Sequence, residues 1–262
     1  MLVLSLSAII GLVVGLLGAG GSIMTTPLFI YVQHMPPIDA IASSLLVVAA
    51  ASIFALVRHG ARGHIQWKTG FIFGPFGMLG AFIGGQIGSH LPGKVLLFAF
   101  SIIMAITGFA MFRNRKNSVV ATILKPQIGR LILNGVVVGF ITGVVGVGGG
   151  FIVVPALVLI GGLAIKDAIA TSLLVVTMNC IGSFAGFALK FGGDPLIALN
   201  KNIHFDFEII ALAILGASIG SIAGSQFSSR VKSEKLSIAF GWFVIAMAVF
   251  IFIENLTGSI SH

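Results

Sequence analysis

One apolar pattern is written twice in this chain, and that duplication limits what the chain can fold into. Gly18-Ala19-Gly20-Gly21 leads through apolar residues to Pro27, then to Asp39-Ala40-Ile41-Ala42-Ser43-Ser44-Leu45-Leu46-Val47-Val48. Displaced by 128 positions, Gly146-Val147-Gly148-Gly149 leads to Pro155, then to Asp167-Ala168-Ile169-Ala170-Thr171-Ser172-Leu173-Leu174-Val175-Val176. From Gly11 to Val48 the match needs no gap, and 15 of 38 positions are identical. Further on the displacement becomes 140. His64-Ile65-Gln66-Trp67 then pairs with His204-Phe205-Asp206-Phe207, and Gly80, Gly84, Gln86 and Ser89 with Gly220, Gly224, Gln226 and Ser229. The two halves are expected to share one fold.

Both copies lie in long uncharged runs. Of the 262 residues, 57% are hydrophobic and 8% charged, whereas a soluble domain carries about a quarter charged residues. A water-exposed surface cannot be assembled from this composition. Several runs reach the roughly 17–25 residues that cross hydrocarbon as a helix, and residues 95–111 lack the period-two alternation of a barrel strand. The expected fold class is an all-α polytopic integral membrane protein with eight hydrophobic segments, four per half. These fall at about 2–33, 38–57, 69–90, 94–112, 128–162, 166–190, 206–228 and 235–254. Residues 1–112 form the first transmembrane repeat, 113–127 a basic cytoplasmic linker, and 128–262 the second repeat. The amino terminus lacks the basic start of a cleaved signal and is expected to stay as membrane segment.

Charge and cysteine usage narrow the classes further. Fifteen basic against seven acidic residues give +8, but the basic residues sit in short loops rather than one stripe. They read as positive-inside topology, not as a nucleic-acid face. A single cysteine, Cys180, excludes an internal disulfide and a cysteine-built metal site. No cofactor and no metal are expected. The expected partners are the lipid bilayer, a small anionic substrate and, as an open option, further copies of the chain.

The first segment of each half is too long for one straight crossing. About 31 residues of helix measure roughly 46 Å, half again the hydrocarbon thickness. Gly18, Gly20 and Gly21 in one half, and Gly146, Gly148, Gly149 and Gly150 in the other, stand near its middle. Each glycine costs about 1 kcal/mol relative to alanine inside a helix, so the clusters unwind it. The segment is then either a tilted broken span or a re-entrant hairpin. If every segment crosses, Lys and Arg divide ten to five between the two sides. If the first segments turn back, they divide twelve to three, with Lys94, Lys190 and Lys201 alone outside. The positive-inside rule favours the second arrangement, in which the repeats are inverted.

Unwinding at Gly18–Gly21 starts a new helix near Ser22, whose free N–H groups and dipole attract anions. Ser22, Thr25 and Thr26 add hydroxyls there, whereas Gly150, Val153 and Val154 stand at the displaced positions and leave backbone donors only. Two such ends facing each other suit a small oxyanion such as sulfite or a sulfonate headgroup. The competing reading is close helix packing, which is the expectation for Gly80/Gly84 and Gly220/Gly224. Ser43, Ser44, Thr171 and Ser172 either present hydroxyls to the ligand or bond their own helices. Asp39 and Asp167 cap helices or relay protons. His64 and His204 are interfacial, with a gating or pH-sensing role as the alternative, and for Arg58 and His59 a topology role suffices, with gathering of anions at the cytoplasmic mouth as the alternative. Asn134, Asn179, Gln86 and Gln226 pack against or bond neighbouring helices by default, with lining a pathway as the alternative.

The pattern G-x-G-G…P…D-A-I-A-[ST]-S-L-L-V-V in both halves, followed by H-[IF]-[QD]-[WF], resembles the TauE/SafE sulfite exporter family, the TSUP transporters. The resemblance covers nearly the whole chain. It implies transport of sulfite, organosulfonates or related sulfur oxyanions across the bacterial cytoplasmic membrane, with export as the direction. An embedded enzyme is disfavoured: the histidines sit near segment ends or in loops, and no H-E-x-x-H and no G-x-x-x-x-G-K-[ST] is present. A membrane subunit of a larger transport system, or a permease for another small organic anion, remains the alternative.

Overall fold

The computed structural model describes residues 2–17, 22–60, 63–113, 128–146, 148–189, 207–230 and 233–256. Every regular element among them is helical. The first half holds α1 (Leu2–Leu17), α2 (Ser22–Pro27, continued by a wider π turn over Leu28–Val32), α3 (Pro37–Gly60), α4 (Trp67–Ser89) and α5 (Gly93–Arg113). The second holds α6 (Ile128–Val145), α7 (Gly150–Leu159), α8 (Ile165–Leu189), α9 (Phe207–Arg230) and α10 (Ser233–Leu256). The long first segment of each half is thus two helices, α1 with α2 and α6 with α7. Within the expected linker, Arg113 ends α5 and residues 114–127 lie outside the described residues.

Local chemistry sets the ends. Proline opens α3, where its missing N–H costs nothing, Asp39 lies in the positive first turn and Arg58 and His59 in the negative last turn. Asp167 repeats the first-turn carboxylate in α8. Five described helices are long and apolar enough to cross a membrane: Pro37–Gly60, Trp67–Ser89, Ile128–Val145, Ile165–Leu189 and Glu208–Phe227. Leu4–Leu16, Gly93–Phe109, Gly150–Leu159 and Gly241–Glu254 are shorter apolar stretches.

Packing follows the repeat. α3 lies against α8 at the centre, α1 packs on α9 as α6 packs on α4, and α9 on α3 as α4 on α8. α2 rests on α3 as α7 rests on α8, α5 pairs with α10, and α2 touches α7. Exchanging the halves leaves these pairings unchanged. Phe54, Val57, Phe71, Leu79, Ile106 and Phe109 point outward, as lipid-facing side chains do.

Small residues allow the closest approaches. A side chain on Gly80, Gly84 or Gly88 would run into the backbone of Val136, Phe140 and Val144 in turn, and Gly139 and Gly143 meet Gly77 and Ala81. Both helices advance together, so α4 and α6 run in one direction. The same holds for α1 and α9, where Gly220 and Gly224 meet Ala8 and Leu12. It also holds for α4 and α8, where Gly70 meets Leu174, Gly74 meets Met178 and Gly186 meets Phe82. The glycines at 80, 84, 220 and 224 are packing residues, as their spacing predicts.

Candidate functional site

The chain turns between α6 and α7 by a backbone that side chains rarely adopt. Gly146, Gly148 and Gly149 have φ of +70, +63 and +76. The Gly146 N–H closes α6 by donating to the carbonyls of Thr142 and Gly143, and Gly149 O accepts from Ile152 and Val153 to open α7. The first turn of α7 therefore presents N–H groups without acceptors in their own helix. Space is as tight as conformation. A Cβ on Gly148 would collide with Cys180 Sγ beside Val48 and Val176, one on Gly146 with Ile41, and one on Gly149 with Thr142. Phe151, Val153 and Val154 in α7 are buried.

The other break keeps the same frame with different side chains. Gly18, Gly20 and Gly21 lie outside the described residues, but α1 ends at Leu17 and α2 begins at Ser22 on either side of them. Thr25 and Thr26 are buried, and the Thr26 hydroxyl donates to Ser44 Oγ at 2.9 Å. Ser44 in turn donates to Ile41 O at 2.8 Å. Ser172 makes the corresponding bond to Ile169 O at 2.8 Å, without a hydroxyl above it, because Val154 stands where Thr26 would. Ser43 is buried, and its hydroxyl has no partner among the described residues.

At the start of α8 the structure ties two segments together. Thr171 Oγ1 accepts the backbone N–H of Gln66 at 3.0 Å, and His64 Nδ1 lies 3.2 Å from Asp167 Oδ1. Asp39 holds the matching place in α3, and His204 falls outside the described residues. Asn134 bonds Arg130 O within its own helix.

Two expectations need correction. His59 does not stand at an open mouth: it is buried, with Nε2 3.4 Å from Gly15 O in the last turn of α1. The end of α1 covers it. A displacement of 128 places Phe187 opposite His59, and Phe187 packs against Gly146, so alignment of the halves marks both positions as neighbours of a break. Asn179 packs against Gly77 of α4, but the interhelix hydrogen bond is not made: neither end of its amide has a partner among the described residues. Among those residues no cluster of three or more His, Cys, Asp or Glu side chains is placed to hold a metal.

A family model described as sulfite exporter TauE/SafE matches residues 3–251. A probable membrane transporter protein of Xylella fastidiosa (strain 9a5c) is 34% identical over 251 residues, covering 93% of this chain and 91% of the relative. The probable membrane transporter protein YdhB of Bacillus subtilis (strain 168) is 25% identical over 246 residues, covering 91% and 94%. A probable membrane transporter protein of Haemophilus influenzae is 26% identical over 265 residues, covering 97% and 98%. No solved structure matches the chain.

Proposed function

The chain belongs to the sulfite exporter TauE/SafE family, and from that premise we propose that it carries a small sulfur oxyanion between two opposed helix breaks. It is a membrane transporter rather than an enzyme. The observation that carries the reading is the left-handed turn at Gly146, Gly148 and Gly149, which aims the start of α7 at the centre of the molecule. Helix N-termini bind anions through free N–H groups and the dipole, and glycine lets a ligand reach that backbone. Thr25, Thr26 and Ser44 enrich the first break in hydroxyls, while the second relies on backbone.

Helix directions support inverted repeats. α4 follows α3 through the short connection 61–66, so it recrosses the layer that α3 has crossed. α8 runs alongside α4 in the same direction, so α3 and α8, equivalent in the repeat, run oppositely. On this reading α1 with α2, and α6 with α7, are re-entrant hairpins, 1–112 and 128–262 are the two repeats, and the sequence assigns twelve of its fifteen Lys and Arg residues to one side of the membrane. That side is cytoplasmic by the positive-inside rule, in a bacterial inner membrane.

Export follows from the charge of the substrate. An interior-negative potential drives anion efflux by about 2.3 kcal/mol per charge per 100 mV, with no nucleotide needed. In proteoliposomes an imposed voltage is expected to drive sulfite or a small sulfonate outward. Gly20→Val combined with Gly148→Val is expected to abolish that flux. Voltage-independent flux, or equal flux in the double variant, overturns the assignment.

A further inference from the structure

Asn179 lies in the middle of α8, fully buried, with its carbonyl oxygen and amide nitrogen both lacking a partner among the described residues. Ser183, one turn on along the same face, is also fully buried, and its hydroxyl is likewise unmet. Both face α4. Asn179 Oδ1 sits 2.6 Å from where a side chain on Gly77 would begin, and Ser183 packs its backbone against Gly85. An unpaired amide or hydroxyl in an apolar medium is costly. Packing does not demand that cost. In the equivalent interface between α3 and α9, Ala51 and Ala217 stand at the displaced positions of Asn179 and Gly77, both buried, so that interface carries two methyl groups in their place.

The amide also belongs to the neighbourhood of the break. The next residue, Cys180, lies against Gly148. From the other side, Gly139 of α6 rests on Gly77, and Thr142, almost one turn further, lies against Gly149. α6 therefore bridges Asn179 and the first turn of α7.

We propose that Asn179, with Ser183, is a specificity-determining binding site between α4 and α8 for an oxyanion that still carries a proton. The proposal rests on the reading of the glycine break as an anion site and adds a second set of contacts to it. A carboxamide presents both donors and an acceptor, and a hydroxyl presents either. Hydrogen sulfite has an O–H to give and oxygens to receive. A sulfonate such as methanesulfonate has acceptors alone and leaves Asn179 Oδ1 unmet. Sites discriminate most strongly against ligands that leave a buried polar group unpaired.

The test uses the full chain in proteoliposomes at mildly acidic pH, with hydrogen sulfite and methanesulfonate as the two probes. The ratio of their fluxes is expected to favour hydrogen sulfite by at least about tenfold in the wild type, the effect of one charged-group hydrogen bond. Asn179→Leu is expected to lower that ratio by at least about tenfold, and Asn179→Gln to restore part of it. An unchanged ratio, or equal loss of both fluxes, overturns the proposal. If the wild type moves neither anion, the proposed function fails instead. Asn179→Cys in a Cys180→Ser background then still decides whether the site meets water. Labelling by a water-soluble thiol reagent is expected, and resistance to labelling overturns the polar site.

Discussion

The two halves share a backbone plan and divide the chemistry between them. Each broken helix ends in the same way: Met35 N–H bonds Phe29 O at 3.0 Å and Leu163 N–H bonds Leu157 O at 3.1 Å, each reaching back one residue further than the closing bond of a Schellman turn. The left-handed residue of that turn is His34 in one half and Gly162 in the other. Beside the breaks the difference widens. The first half sets Thr25, Thr26 and a buried His59 there, and the second sets Val153, Val154 and Phe187. Away from the break the balance reverses: the interface of α3 with α9 has Ala51 and Ala217 where that of α8 with α4 has Asn179 and Gly77. Duplication preserved the frame proposed to hold a ligand, and divergence changed which hydrogen-bonding side chains stand around it.

The largest predicted effect comes from equal substitutions at two left-handed glycines. Alanine at Gly148 or at Gly162 costs about 1–2 kcal/mol of backbone strain in either place. Only Gly148 has Cys180 in the way; nothing lies near a Cβ at Gly162. Gly148→Ala is expected to lower flux about a hundredfold, as small misplacements at a working site do, and Gly162→Ala is expected to keep it. Comparable losses in both break the link between the turn and the site. Next in size is a double-mutant cycle on thermal unfolding in detergent. Gly77→Ala overpacks against Asn179 and is expected to destabilise by about 1–3 kcal/mol. Gly77→Ala with Asn179→Ala recreates the Ala51 and Ala217 pair of the α3–α9 interface and is expected to recover most of that. Additive losses show that the two residues are independent.

The position of the breaks was legible because it is a local matter. Clustered glycines unwind helices whatever surrounds them, and α2 and α7 begin at Ser22 and Gly150 where that rule puts them. The packing role of Gly80 and Gly84 was legible from spacing, but not that α6 is their partner, since spacing on one helix names no neighbour. Whether the first segment spans or turns back was open for the same reason. Contacts far apart in the chain, such as those pairing α4 with α6 and α8, give the helix directions on which the proposed hairpins rest. His59 was misplaced because Arg58 and Gly60 mark a helix end, and helix ends usually face water. The last turn of α1 lies over it instead. Asn179 showed itself as a polar residue in an apolar run, but sequence does not reveal whether such a residue finds a partner.

His59 and Phe187 sharpen the comparison at a smaller scale. His59→Phe installs the second half's residue and removes the bond to Gly15 O. A loss of about 1 kcal/mol in stability is expected, together with lower flux, because the end of α1 is then held by packing alone. Unchanged stability shows that the imidazole does not hold α1.

The smallest effect tests the exit turn and runs in the opposite direction. His34 is exposed and has φ of +53, a conformation that costs a residue with a Cβ about 1 kcal/mol more than glycine. Gly162 meets the same requirement without that cost. His34→Gly is therefore expected to stabilise the protein by up to about 1 kcal/mol, less the entropy that glycine gains in the unfolded chain. Flux should be unaltered, since the turn lies at the far end of α2 from the break. A higher unfolding midpoint with unchanged flux separates the conserved frame from the diverged site. A fall in flux ties the exit turn to movement of α2, and the two halves then differ in mechanics as well as in chemistry.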